Sequence, residues 1–377
     1  MSSITNAGPA TYEPGTHPDL AAPPTTVGVK GWLIRNLFSS PANTLLTFVA
    51  LYLVYVLIPP VIDWALISAN WSGGTREECG GVTREGACWG YIGFWMKLLM
   101  YGRYPADELW RVNLGGMVLI ASLILMLIPR FPYKSWVGAF VLLVYPILCY
   151  FLFYGGLGLS IVETPLWGGL FLTLVIAITG IVMSLPLGVV LALGRRSSMP
   201  IVKSVCIAFI EFWRGVPLIT VLFMSSVMFP LFMPEGVNFD KLLRALVGVM
   251  LFSSAYMAEV VRGGLQAIPK GQYEAAQALG LSFWRVMGLI VLPQALKIVI
   301  PGIVNTFIGL FKDTTLVLII GLLDFLGSAQ AASTNPAWLG FSIEGYVFVA
   351  FVFWVFCFSM SRYSQHLEDK LHTGHRR

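Results

Sequence analysis

Charge is what this sequence has least of. Of its 377 residues only 11% are Asp, Glu, Lys or Arg, while 57% are hydrophobic and 14% aromatic. Ordinary soluble domains carry about 25% charged residues, so that balance excludes a water-soluble globule. It also excludes a disordered chain, which would combine few aromatics with high net charge. Histidine is nearly missing: the four present, His17, His366, His372 and His375, lie near the chain ends. No Cys/His set with metal-ligand spacing can be written from them, and no metal site is expected. A G-x-x-x-x-G-K-[ST] phosphate loop is absent from the sequence, so any energy from a nucleotide has to come through another subunit. The net charge of +5 is spread over short loops with no basic stripe, which excludes a nucleic-acid surface. Residues 1–29 hold five prolines, no Lys or Arg and no apolar core, so they read as a flexible tail and not as a signal peptide.

What is present is a series of long apolar runs, and an all-α integral membrane protein is the class that remains. Runs near 43–68, 114–129, 135–155, 167–194, 205–233, 242–261, 286–311 and 343–362 give about eight transmembrane helices. Thr314 to Ala332, interrupted by Gly321, Asp324 and Gly327, reads as a re-entrant or surface-lying segment. With the N-terminus inside, the inner segments hold 15 Lys and Arg and the outer ones 7. The excess of inner cations places both termini in the cytoplasm and the 70–113 loop outside. Cys79 and Cys88 lie in that loop with Gly80, Gly81 and Gly86 between them, and an oxidising compartment would permit a disulfide there. Cys149, Cys206 and Cys357 sit inside apolar runs and read as packing residues.

Between the sixth and seventh runs the chain turns polar and carries strong helix signals. Pro269 suits a first helical position, Glu274 to Leu279 is a run of helix formers, Gly280 can supply a left-handed cap and Ser282 can cap a following helix. Ala275, Ala276 and Ala278 would give the first helix a small-residue surface open to close approach by another protein.

Glu274-Ala275-Ala276, three residues, Gly280, nine residues, Ile290, one residue and Leu292-Pro293 together resemble the E-A-A-x3-G-x9-I-x-L-P motif of permeases of ATP-binding cassette importers. Glu211-Phe-Trp-Arg214-Gly215-Val-Pro217, Ala258-Glu259-x-x-Arg262-Gly263-Gly264, Lys312-Asp313-Thr314-Thr315-Leu316 and Leu292-Pro293-Gln294-Ala295 are similar to segments of its polar amino-acid branch. The added N-terminal spans resemble the longer permeases of general L-amino-acid importers. That resemblance implies a five-helix type I permease core over residues 161–364 with coupling helices at 264–285. Before it stand a flexible cytoplasmic tail (1–42) and three extra spans with their large periplasmic loop (43–160), and after it a cytoplasmic tail (365–377). It further implies that Glu274, Ala275, Ala276 and Gly280 dock on an ATPase subunit, with Leu292 and Pro293 at the entry to the seventh span. A second, different permease would complete a heterodimer, and two ATPase subunits would bind the ATP and Mg. A periplasmic binding protein would deliver L-amino acids, and the whole would sit in a bacterial inner membrane. No cofactor and no catalytic residue is implied for this chain.

Charges kept inside apolar spans are expensive and invite a functional reading. Glu259 with Arg262, and Glu211 with Arg214, are three residues apart and can pair on one helix face, which reads first as structural ion pairing. Lys312, with Asp313, Thr314 and Thr315 after it, and Asp324 in Gly-Leu-Leu-Asp-Phe-Leu-Gly are the leading candidates for a substrate path. Lys297 is a weaker third. Two other classes are weighed. An ion-coupled secondary transporter would show inverted repeats with broken helices, and a membrane enzyme would need a nucleophile with a base inside the spans; neither pattern is found.

Overall fold

A computed structural model describes residues 28–81, 84–128, 130–234, 236 and 239–371. The chain divides into two compact units, residues 28–69 with 85–87 and residues 70–84 with 88–371.

The first unit holds α1 (Gly28–Asn36) and α2 (Pro41–Ile67). Ser40 caps α2 by accepting from Asn43 N at 3.2 Å, and Pro41 starts it with the fixed φ that a first turn needs. The helix at Gly28–Asn36 lies within the stretch read from sequence as a flexible tail; Asn36 closes its last turn by donating from Nδ2 to Trp32 O at 2.8 Å. Residues 1–27 of that tail, and residues 372–377, lie outside the described residues. No residue of α2 is buried within this chain, as a helix facing lipid or a partner would be.

The second unit contains α3 (Gly90–Tyr101), α4 (Ala106–Leu127), α5 (Lys134–Tyr154), α6 (Gly169–Arg195), α7 (Pro200–Gly215), α8 (Leu218–Phe232), α9 (Lys241–Ala267), α10 (Lys270–Ala278), α11 (residues 283–298), α12 (Ile300–Ile320), α13 (Phe325–Ser333) and α14 (Ser342–Leu371). Among the described residues of the whole chain, seven helices are long and apolar enough to cross a bilayer, and α7 with α8 makes an eighth if that bent pair is one span. Two boundaries differ from the sequence reading. The fifth run is two helices bent by 100°; Pro217 holds Val216 in an extended conformation and ends α7 there. The seventh run is also two pieces. Helix α11 stops at Val299 and the span proper is α12, so Leu292 and Pro293 lie in the helix before the span rather than at its entry, and Lys312 sits inside the span. The stretch read as one re-entrant segment is likewise divided between the last turns of α12 and the separate helix α13.

Helices α6 and α9 form the centre of the second unit. Gly180, Ser184, Gly188 and Ala192 recur every fourth residue on α6 and all are buried, a small-residue stripe that lets a second helix approach closely. Ala255 and Ala258 are buried on the facing helix, where a Cβ on Gly188 would lie 2.7 Å from Met257 Cβ and 3.0 Å from the Ala258 nitrogen. Those are atoms at or next to the backbone, so they cannot swing away. Gly188→Leu is therefore expected to destabilise the helix pair by at least ~1–3 kcal/mol, the ordinary cost of overpacking. Thermal denaturation in detergent checks this, and a melting point equal to that of the wild type would contradict the packing described.

Candidate functional site

The polar stretch after α9 folds as two helices around a sharp turn. Ile268 is buried, Pro269 adopts the extended conformation of a cap, and α10 begins at Lys270, one residue later than Pro269 alone suggests. Its inner face is Ala276, fully buried in the apolar cluster that also holds Leu265, Ile268 and Met287 and so turned away from the docking side expected of it, with Tyr273 half-buried beside it. Glu274, Ala275 and Ala278 are exposed on the outer face. The helix ends in a Schellman motif: Gly280 N donates to Gln277 O at 2.9 Å and Leu281 N to Ala276 O at 3.2 Å. Gly280 has φ +70°, which only glycine adopts without strain, and a Cβ built there would meet nothing within 4 Å. Helix α11 follows, Ser282 occupying its cap position without a side-chain hydrogen bond. Its turns widen to a π-helix over Val286–Val291 just before Pro293, which has no N–H to continue the α pattern. Val286, Val291 and Ala295 are buried, and Gln294 reaches back to Gln272 at 3.2 Å. On the outside Leu279, Phe283 and Trp284 are exposed at 77, 56 and 75%. The pair of helices is thus anchored by one face and presents carboxylate, small and large apolar groups on the other.

At the same end of the unit a cluster of charges joins three helices. Glu259 on α9 accepts from Arg195 at the end of α6 (2.7 Å) and from Arg262 one turn along (2.7 Å), with Arg214 of α7 at 3.8 Å. Glu211 pairs with Arg195 at 2.9 Å rather than with Arg214, its neighbour in sequence. The i,i+3 reading is therefore met for Glu259 and Arg262 and replaced by a tertiary partner for Glu211. The charges of Glu211, Arg214, Glu259 and Arg262 are turned on one another.

The other candidate positions are dispersed. Lys312 is exposed on α12, Asp313 half-buried, and Thr314 and Thr315 donate back to Phe311 O and Lys312 O at 2.7 and 2.9 Å. Lys297 is exposed in the last turn of α11. No carboxylate among the described residues lies within 4 Å of either lysine. Asp324 is fully buried and caps α13, accepting from Gly327 N at 2.9 Å and Leu326 N at 3.2 Å. Burial pushes its carboxyl up to about 6, against the pull of those N–H groups. The turn it organises is fastened to the start of α6, where Gly169 N donates to Leu323 O at 2.9 Å and Thr173 Oγ1 accepts from Phe325 N at 2.9 Å.

At the opposite end the disulfide that the sequence allowed is joined by charges that sequence reasoning overlooked. Cys79 and Cys88 are disulfide-bonded, their Cα atoms 5.8 Å apart. Between them Arg84 donates to Gly340 O at 2.8 Å, meets Glu344 at 3.1 Å and lies 3.9 Å above the Phe341 ring. Glu344, fully buried in the first turn of α14, also accepts from Cys88 N at 3.1 Å. A lone acid opening an apolar span was the available signal, but its partner is 260 residues away. Arg111 is similarly buried, paired with Glu108 at 2.8 Å and donating to Ser160 O and Oγ at 2.7 Å each. A groove of about 1190 Å³ among α4, α5, α6 and α9 is lined chiefly by apolar groups such as Val112, Tyr145, Phe153 and Leu246. The Asp240 on its wall is already engaged, capping α9 through Leu243 N and accepting from Thr164.

Residues 184–373 match the family of binding-protein-dependent transport system inner membrane components. Over 360 residues, 95% of this chain and 97% of the relative, the sequence is 56% identical to an inner membrane amino-acid ABC transporter permease protein of Escherichia coli. It is 40% identical, over 94% of this chain and 96% of the other, to a glutamate/glutamine/aspartate/asparagine transport system permease protein of Rhodobacter capsulatus. A glutamate/aspartate import permease protein of Escherichia coli is 35% identical over 207 residues, which is 54% of this chain but 91% of that one. Such shorter relatives correspond to a part of this chain a little over half its length.

Proposed function

The chain belongs to the family of binding-protein-dependent transport system inner membrane components, a multi-pass ABC-transporter permease, and from that premise we propose that it forms one half of an inner-membrane gate for L-amino acids. ATP would be hydrolysed by two separate ATPase subunits, a second permease would complete a heterodimer, and a periplasmic binding protein would supply the solute. Both termini would face the cytoplasm, with the disulfide-bonded loop outside. Membership of the family leaves the ion-coupled secondary transporter without an observation in its favour.

The observation that carries the coupling role is the two-faced helix α10. Ala276 and Tyr273 hold it to the membrane helices, while Glu274, Ala275, Leu279 and Gly280 stand clear on a rigid turn. An exposed leucine in a stretch ordered this firmly fits a partner's apolar pocket, since anchors of that kind dominate interface energies. Solutes would pass between this chain and its partner. Lys312, Asp313, Thr314, Thr315, Asp324 and Lys297 remain the positions proposed to line that path, and the Glu259 cluster is proposed to shape its inner end.

The deciding experiment is ATP hydrolysis by the complex purified through a tag on this chain, with and without binding protein loaded with each L-amino acid. Stimulation several-fold by a loaded binding protein supports the reading, and the stimulating amino acids define the substrates. A tagged chain that brings no ATPase with it removes the reading. Within the same preparation, Leu279→Asp is expected to leave the melting point unchanged, because the side chain is exposed. The co-purified ATPase should fall at least tenfold, and unchanged recovery would take Leu279 out of the docking surface.

A further inference from the structure

Two adjacent arginines end α6 and point to different partners. Arg196 Nη1 donates to Leu265 O at 2.9 Å and to Tyr273 Oη at 3.3 Å, with its guanidinium 5.8 Å from the tyrosine ring. Tyr273 Oη in turn donates toward Leu265 O at 3.4 Å. Arg196 therefore fastens the end of α6 both to the last turns of α9 and to the coupling helix α10. Arg195, one peptide unit away, is bound to Glu259 and Glu211, and through Glu259 to Arg262 and, more loosely, Arg214.

We propose that Arg195 and Arg196 are a relay: Arg196 senses the position of α10 through Tyr273, and Arg195 passes that position to the Glu259 cluster that holds α6, α7 and α9 together. The inference rests on the coupling reading above and names the route by which it reaches the spans. Three features favour a moving junction over a static brace. The two arginines share one stretch of backbone, so displacement of one is displacement of the other without any intervening packing. The cluster is open along one edge, with Glu211 55% and Arg214 37% accessible around a Glu259 that is only 15% accessible, so its outer pairs are individually weak and exchangeable. The charges are also unequal: two carboxylates serve three guanidiniums, and Arg214 at 3.8 Å is the guanidinium held least closely to Glu259. A small shift of Arg195 can release Glu259 to Arg214 and re-pair the cluster, giving the two discrete arrangements that transmitted coupling requires. Arg195 and Arg196 act as positioning residues; neither is assigned to the solute.

The test uses the whole complex in proteoliposomes, with the twenty radiolabelled L-amino acids as the solute mixture, and reads uptake per ATP hydrolysed alongside the basal hydrolysis rate. Arg196→Ala is expected to lower uptake per ATP at least tenfold with basal hydrolysis within twofold of wild type. Arg195→Ala should match it, and Arg195→Lys, which keeps the charge, should recover to within threefold. Because both steps lie on one route, Arg196→Ala combined with Glu259→Gln should be no worse than the weaker single variant. Multiplying losses, or singles that transport as many molecules per ATP as wild type, overturn the relay. If the alanine variants do not assemble, Tyr273→Phe removes only the hydroxyl contact and should still lower stimulation by loaded binding protein threefold or more; unchanged stimulation in that variant also overturns it. A wild-type complex with no stimulated hydrolysis would instead mean that the permease reading itself had failed.

Discussion

Replacing Gly280 by aspartate brings solute uptake down to background while the protein still inserts and the permease chain melts within about 5 °C of its usual temperature. The separation of effects follows from the geometry. At φ +70° most side chains cost about 1–2 kcal/mol, but Asp and Asn enter the left-handed region more readily than others. A Cβ at this position has no neighbour within 4 Å in the chain, so the fold has nothing to clash with. The loss then has to arise where another surface covers the turn, and a carboxylate buried there without a partner is strongly unfavourable. Gly280→Asn is the matched control: the same backbone cost and similar volume without the charge, for which uptake within tenfold of wild type is expected. Uptake assays and membrane fractionation of the two variants decide it. An aspartate variant that transports normally would remove Gly280 from the coupling surface.

The second large effect is on stability. Glu344→Ala leaves the Arg84 guanidinium with the Gly340 carbonyl but no counter-charge, and the Cys88 N–H deprived of its acceptor; removing one partner of a buried pair costs about 3–5 kcal/mol. Replacing both members, as Arg84→Met with Glu344→Leu, removes the stranded charge and should return most of that loss. The melting point in detergent, followed by tryptophan fluorescence, ranks the three proteins, with the double variant between wild type and the single. Equal losses in single and double variants would mean that the pair is not what fastens the loop.

The apolar runs were enough to find the membrane class and the number of spans, because twenty-residue windows report what a bilayer demands. They could not report direction. The run through Val286 to Phe311 looks continuous by hydropathy, yet Pro293 and Pro301 and the wide turns at Val286–Val291 divide it into α11 and α12. Pro217 does the same between α7 and α8. Local chemistry was legible where it is local: the Gly280 turn and the Glu259–Arg262 pair depend on residues within a few positions of each other. Glu211 shows the limit, since the i+3 arginine loses to Arg195, which only the packing of α6 on α7 brings near. Arg84 and Glu344 lie further beyond reach, as no short-range rule joins residues 260 apart.

That separation also sets an order of events during synthesis. At about 5–20 residues per second, the ribosome needs roughly 15–50 s after adding Arg84 to reach Glu344. Throughout that interval the oxidised loop and Tyr91, whose ring later stacks on Phe341 and meets Trp338 edge-on, have nothing to close against. The last helix to emerge is the one that seals them. A chain cut short before Trp338 would leave Arg84 and the Cys88 N–H without the Glu344 carboxylate and Tyr91 without its stacking and edge-on ring partners.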